Sequence, residues 1–225
     1  MSTSRREFVG NVASAVMLSA LPLTLAAEAR TFVPSAAPAE EWDFKWVDQL
    51  KGKKHKAVFD CTEIESGFGV WRASFWESQY QAVLMAKPSE TRTVLILRHA
   101  AFPMALKQGF WDTYAVGKST NTTHPLTQQG TARNPALLTS MDKEVPAMFD
   151  AFALPSFQSR GGIVLACNLA LQHFAGGIAT QAAISEQEAE KRVRDALLPG
   201  VVVMPSGVFA AVRAQQEGCV YVKAS

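Results

Sequence analysis

The 225-residue sequence contains only three cysteines and carries little net charge. Three thiols cannot build the disulfide framework of a small secreted domain, and any single bridge would leave one of them unpaired. The formal net charge of +2 is far from the basic balance of a nucleic-acid-binding protein, so we expect no nucleic-acid partner. Hydrophobic residues make up 48% and charged residues 19%, which excludes a disordered or collagen-like chain and indicates a globular domain.

Several signatures of enzymes and cofactor sites are absent as well. The sequence has no G-x-S-x-G and no H-E-x-x-H motif, so protease chemistry is not indicated. A Walker A loop, a G-x-G-x-x-G turn after a strand and a C-x-x-C-H haem attachment site are also missing. The sequence therefore gives no reason to expect a bound cofactor.

The first 29 residues have the pattern of an export signal. Arg5 and Arg6 precede an apolar stretch at 12–27, and residues 27–29 form a small-residue cleavage site. Polar residues interrupt the apolar stretch, and a membrane span needs ~20 strongly apolar residues, so we expect no stable span. The paired arginines resemble a twin-arginine signal, which implies export after folding by the twin-arginine translocase and a periplasmic location. An ordinary secretion leader and an uncleaved anchor are the alternatives.

We interpret residues 30–54 as a tether with a short amphipathic helix, and residues 55–225 as one α/β domain. The predicted strands are 56–61, 93–99, 162–168, 201–205 and 219–223. The predicted helices are 66–86, 102–116, 168–183, 185–198 and a last one that Ser206 caps and that ends before Gly218. Two of the strands are continuously apolar, which is typical of parallel strands covered on both faces. The alternation predicts a doubly wound, mainly parallel five-stranded sheet with helices on both faces.

A polar, turn-rich stretch at 117–140 interrupts this alternation. A loop of this length inside a compact domain is usually functional or an oligomer contact. The alternative is an inert insertion.

Chemistry-bearing residues follow the predicted strands at their carboxyl ends, where open parallel sheets bind ligands. Two of the three cysteines and one histidine are among them. These residues are Asp60, Cys61 and Glu63 after the first strand, Arg98 and His99 after the second, Cys167 and Asn168 after the third, and Ser206 and Gly207 after the fourth. Cys219 instead begins the fifth strand, and we interpret it as a small buried hydrophobic residue.

Cys167 is the residue best placed for chemistry, because it stands where a buried strand turns into a helix. A helix N-terminus favours the thiolate, which is the nucleophilic form of cysteine. The alternative from position alone is a buried, inert thiol.

The C-terminal part of the sequence resembles the DsrE/DsrF-like family of sulfur-relay proteins. The resemblance rests on GGIVLACNLAL at 161–171 and on the stretch LLPGVVVMPSGVFAAVRAQQEGCVYVKAS at 197–225. It implies a five-stranded flavodoxin-like sheet, a homotrimer or homohexamer, and a sulfur-carrying cysteine at Cys167. It also implies a partner protein that donates or accepts the sulfur as a persulfide.

Other residues at the strand ends have more than one interpretation. His99 is a candidate general base, metal ligand or thiolate partner for Cys167, or else a hydrogen-bonded structural group. If the strand order is 2-1-3-4-5, Cys61 is close enough to Cys167 to act as a resolving thiol or to form a disulfide. A metal site made by Cys61, His99 and Cys167 is a weaker alternative, because the spacing matches no known ligand motif.

Four further residues are candidates for binding a ligand or anion. Ser206 and Gly207 lie at a helix start, where a small anion can bind, although a plain helix cap needs no ligand. Asp60 and Glu63 are the acidic candidates after the first strand.

These observations favour sulfur or thiol handling through Cys167 in an exported α/β domain. The alternative is a non-catalytic, oligomeric binding or assembly protein on the same scaffold. Its interface or apolar pocket would use aromatic side chains of the first two helices, namely Trp71, Phe75, Trp76, Tyr80, Phe110, Trp111 and Tyr114. Core packing also explains these aromatics.

Overall fold

The structure, a computed structural model, describes residues 42–225. The predicted export signal, its cleavage site and most of the tether lie outside the described residues. The sheet has five strands, β1 (His55–Cys61), β2 (Thr91–Leu97), β3 (Ile163–Cys167), β4 (Val201–Met204) and β5 (Val220–Lys223). All neighbouring strands are parallel, in the order β4-β3-β2-β1-β5. The predicted doubly wound α/β sheet of the flavodoxin-like class is confirmed.

Helices connect the strands and cover the sheet. They are α1 (Lys45–Asp48), α2 (Phe68–Leu84), α3 (Gln108–Thr113), α4 (Val116–Ser119), α5 (Leu154–Ser159), α6 (Asn168–Ala182), α7 (Glu186–Asp195) and α8 (Gly207–Gln216). Short 3-10 segments are Glu65–Gly67, His99–Ala105, Pro135–Leu137 and Ala147–Phe152. Within residues 42–225, no helix is both long and apolar enough to cross a membrane.

The core has two layers, one on each face of the sheet, because successive strand side chains point to opposite faces. On the α2 face, Phe59, Leu95 and Val164 pack with buried residues of α2, α6 and α7. On the α8 face, Val58, Ile96 and other strand residues pack with α1 and α8. β1, β2, β3 and β4 therefore contribute to both layers, as expected for a sheet covered on both sides.

The strand order differs from the 2-1-3-4-5 order on which a Cys61–Cys167 contact depended. β2 lies between β1 and β3, so the two cysteines are separated by about twice the strand spacing of ~4.8 Å. A disulfide needs Cα atoms within ~4.4–6.8 Å. Cys61 also packs in the core of the α2 face. All three cysteines are free, so the alternative of a Cys61–Cys167 disulfide is excluded.

The single helix predicted at 102–116 is also wrong, because the segment is broken twice. The 3-10 segment His99–Ala105 ends at Leu106, whose extended backbone forms an isolated antiparallel bridge with Leu197. Ala115 then adopts a left-handed conformation between α3 and α4. The bridge between Leu106 and Leu197, which precedes β4, therefore outweighs the helix propensity of residues 102–116.

The stretch at 117–140 is mostly irregular beyond α4, as predicted, but a buried side chain ties it to the domain. Asn134 is fully buried, and its Nδ2 donates to the carbonyl oxygens of Met104 and Leu106 at 3.1 and 2.9 Å. Its Oδ1 accepts from the backbone N–H of Ala136. These bonds fix the second half of the loop against the segment that follows β2.

Candidate functional site

A cavity of about 430 Å³ opens at the carboxyl edge of the sheet, between the ends of β2 and β3 and the first turns of α6 and α8. Its polar lining consists of Arg98, His99, Thr120, Cys167, His173 and Ser206. The remaining walls are largely apolar and include Pro103, Leu169, Phe174 and Val208. We call this space the thiol cavity.

The alternation of side chains explains why Cys167 and Arg98 meet in one place. Ile163 and Leu165 of β3 pack on the α8 face, and Cys167 continues that series. Val94 and Ile96 of β2 do the same, and Arg98 continues theirs. Because the carboxyl ends of parallel strands share one edge, Cys167 and Arg98 both line the thiol cavity.

Cys167 occupies the N-cap position of α6. Its Sγ accepts from the backbone N–H of Ala170 at 3.4 Å, as a serine or aspartate oxygen does in an ordinary cap. The side chain is only 6% exposed, but it forms part of the wall of the thiol cavity. The sulfur therefore lies at the N-terminus of α6, accepts an N–H there, and is reached through the cavity.

Arg98 is held by a buried carboxylate behind the cavity. Its Nε and Nη2 donate to the two oxygens of Asp60 at 2.7 and 2.8 Å, and the hydroxyl of Tyr221 donates to the same carboxylate at 2.8 Å. The hydrogen bond to Asp60 raises the pKa of Arg98 and also that of Tyr221. Asp60 is thus a positioning residue, and its charge lies on the protein side of the guanidinium. Arg98, and not Asp60, belongs to the lining of the thiol cavity.

Gly207 leaves the space that the Arg98 side chain occupies. A Cβ atom at position 207 would overlap the aliphatic carbons of Arg98. Ser206 precedes it as the N-cap of α8, and its Oγ accepts from the N–H of Phe209 at 3.0 Å. Ser206 therefore caps α8. The N-terminus of α8 forms part of the cavity wall, as the N-terminus of α6 does.

His99 lies at the exposed rim and is not a buried structural group. Its side chain is 72% exposed, and its Nδ1 is 3.3 Å from Oε1 of Glu63. The backbone of His99 is left-handed, with φ of 52°, which is uncommon for a residue other than glycine. Glu63 lines a second, more polar cavity, which shares Ala100 and Thr120 with the thiol cavity.

Two predicted site residues point away from the thiol cavity. Cys61 is fully buried against Gly69 of α2, and burial raises the pKa of its thiol to about 12. The Oδ1 of Asn168 accepts from Nη2 of Arg194 at 2.7 Å, so this amide links α6 to α7. The proposed set of Cys61, His99 and Cys167 is not brought together. Among residues 42–225 no group of three metal-ligating side chains is arranged around a common point.

The sequence interpretation missed His173. This residue lies on α6 one turn beyond Ala170 and lines the thiol cavity, with an exposed side chain. Helical spacing from Leu169 and Ala170 was the available signal, since residues three and four apart share a helix face. Cys219 is buried, as expected, and burial raises its pKa to about 11.

The fold and the site together define a doubly wound α/β domain with a cysteine at a helix start, inside a cavity that also holds an arginine. No family model and no curated protein matches the sequence of this chain.

Proposed function

We propose that the protein carries sulfane sulfur on Cys167, as an exported member of the DsrE/DsrF-like type. One observation carries the proposal: the sulfur caps α6 and lines a cavity whose lining also includes Arg98. A thiol used only for packing needs neither an opening to solvent nor a cationic residue in the same cavity wall. An anionic sulfur benefits from both.

The transfer step needs no outside oxidant or reductant. The Cys167 thiolate attacks the outer sulfur of a donor persulfide, R–S–SH. The S–S bond of the donor breaks, a new S–S bond forms on Cys167, and R–S⁻ leaves and takes up the proton. The zero-valent sulfur keeps its oxidation level throughout. An acceptor thiolate then attacks the terminal sulfur on Cys167 in the same manner.

The two stretches that resemble the sulfur-relay family support the proposal, because they correspond to the elements that frame the thiol cavity. Residues 161–171 contain β3 and the start of α6, and residues 197–225 contain β4, α8 and β5. Export by the twin-arginine route, a periplasmic location, a homo-oligomer and a sulfur-exchanging partner complete the proposed setting.

Mass spectrometry tests the proposal directly. The reduced full-length chain is incubated with a small-molecule persulfide, and the cysteine peptides are then analysed. We expect a gain of about 32 Da, one sulfur atom, on the peptide that contains Cys167. Cys167→Ser should lose the adduct, whereas the matched variants Cys61→Ser and Cys219→Ser should keep it. An unmodified Cys167, or equal loading of all three thiols, overturns the proposal.

The alternative, a non-catalytic binding or assembly protein, is favoured by the low exposure of Cys167 and by the apolar cavity walls. The aromatic residues that this alternative invoked are only partly available. Phe110, Trp111 and Tyr114 are buried in the core, while Trp71 and Phe75 contact the 3-10 segment Ala147–Phe152. A Cys167 that resists alkylation until the protein unfolds would favour this alternative.

A further inference from the structure

The shape and lining of the thiol cavity indicate which kind of donor can reach Cys167. We infer that the sulfur donor is a small organic persulfide that carries a carboxylate, which Arg98 binds. This inference rests on the proposed function of Cys167 and adds the substrate class.

The accessibility of the thiol favours a small molecule over a folded protein as the donor. Cys167 is 6% exposed and belongs to the wall of a cavity of about 430 Å³. Cavities of ~300–1,000 Å³ are the usual size for small-molecule ligands. The rim includes Leu169 and Val208, which project beside the opening. A sulfur on the surface of a rigid protein would have to pass this rim, whereas a free organic persulfide fits inside it.

The walls distinguish an organic donor from a bare polysulfide ion. Pro103, Leu169, Phe174 and Val208 supply an apolar lining on several sides of the cavity. Apolar surface of this kind binds the carbon skeleton of a ligand, and it gives nothing to a small, strongly hydrated inorganic anion.

The electrostatics select a negative group on that skeleton. Arg98 belongs to the lining of the cavity, and its ion pair with Asp60 uses Nε and Nη2, which leaves Nη1 outside that pair. The N-termini of α6 and α8 converge on the same space and add two further positive dipole ends. A planar cation in an apolar site is well suited to bind a carboxylate.

The reaction on such a donor follows the balanced step given above. The carboxylate of the donor binds Arg98, the Cys167 thiolate attacks the outer sulfur, and the carboxylate-bearing thiolate leaves. The transferred sulfur keeps its oxidation level, the oxidation of the Cys167 sulfur is balanced by reduction of the inner sulfur of the donor, and the leaving thiolate takes its proton from the donor persulfide or from water.

The test compares four donors on the full-length chain. They are the persulfide of 3-mercaptopropionate, the persulfide of its neutral amide, inorganic polysulfide, and a persulfidated carrier protein. The second-order rate of Cys167 loading is followed by mass spectrometry. We expect the carboxylate donor to be faster than its amide by about tenfold, in line with one charge-assisted hydrogen-bonded contact. The polysulfide and the protein should be slower than the carboxylate donor.

Val208 and Val212 of α8 provide a matched pair of substitutions that leaves the ion pair of Arg98 and Asp60 unchanged. Val208 lines the cavity, is 61% exposed and lies in the first turn of α8, where an added aspartate does not oppose the helix dipole. Val208→Asp should slow the carboxylate donor by about tenfold and leave the amide donor nearly unchanged, because it adds a like charge to the cavity wall. Val212→Asp, one turn further along α8, 49% exposed and outside the cavity lining, should leave both rates unchanged.

Arg98→Lys keeps the charge and removes the planar fork, and it should reduce the preference for the carboxylate donor. Thermal unfolding reports whether this variant is still folded; Val208→Asp supplies the same test if it is not. Equal rates for the carboxylate and the amide, no effect of Val208→Asp, or faster loading from the protein donor would each overturn the inference while leaving Cys167 a sulfur carrier. Failure of all four donors would instead refute the proposed function.

Discussion

The two faces of the sheet end differently at the carboxyl edge. On the α2 face, Cys61 is sealed beneath Gly69, in a core without access to solvent. On the α8 face, Cys167 lies two strands away, at the end of β3, and opens onto the thiol cavity. Both thiols end a buried parallel strand, so strand position alone does not separate an inert cysteine from a reactive one. The face toward which the side chain points, and the helix that covers that face, make the difference.

Thiol reactivity should give the largest contrast between the two faces. We expect Cys167 to react with iodoacetamide in the native protein at least about a hundredfold faster than Cys61, because burial raises the pKa of Cys61 to about 12. Cys219, with a pKa raised to about 11, should also react slowly. Timed alkylation followed by peptide mass spectrometry measures all three rates in one sample. After unfolding, the three rates should converge; a fast native Cys61 would show that the α2 face is open.

Two glycines provide a contrast of intermediate size. Gly69→Ala places a Cβ against the sulfur of Cys61, and Gly207→Ala places one against the side chain of Arg98. Each should lower the free energy of unfolding by about 1–3 kcal/mol through overpacking, measured by urea denaturation. Only Gly207→Ala should also weaken the preference of Cys167 for a carboxylate donor, since it displaces the guanidinium.

A second substitution on the α2 face serves as the control for the glycine comparison. Cys61→Ala removes the sulfur that a new Cβ at position 69 would meet. The double variant Cys61→Ala/Gly69→Ala should therefore lose less stability than the sum of the two single changes. Strict additivity would mean that the cost arises from the backbone of α2 and not from this contact.

The smallest effects are expected at the helix caps. Ser206→Ala and Ser185→Ala each remove a hydroxyl that accepts from a first-turn N–H of α8 or α7, so each should cost about 1 kcal/mol in thermal or urea unfolding. Ser206 lines the thiol cavity and Ser185 does not. Because the hydroxyl of Ser206 already serves as a cap, loading of Cys167 should change by less than about twofold. A larger loss in Ser206→Ala alone would assign Ser206 to the donor site.

The fold class followed from the sequence because both apolar runs and helical patterns are local signals. The continuous apolar residues of β2 and β4 indicate strands covered on both faces, whatever their neighbours are. The order of the strands is not a local property. The structure places β2 between β1 and β3, so the disulfide alternative, which required those two strands to be neighbours, is excluded.

The candidate site was predicted in part, for a similar reason. The carboxyl ends of the strands indicated Arg98 and Cys167, and the structure brings both to one cavity. Alternate residues of one strand point to the same face of the sheet. Whether the side chains of Cys61 and Cys167 lie on the same face depends on the register between the strands, which the sequence does not give. The partners of Asp60 and Asn168 depend on β5 and α7, and neither strand ends nor spacing predict such contacts.

The hydrogen bond between Tyr221 and Asp60 has a consequence for the order in which parts of the chain fold. It joins residues 161 positions apart, across the pairing of β5 with β1. Contacts between such distant parts of a chain form late, because closing the intervening loop is entropically costly. β2, β3 and α6 can therefore place Cys167 before Tyr221 bonds to Asp60 and helps to fix the position of Arg98. Discrimination between sulfur donors would then be among the last properties that a newly made molecule acquires.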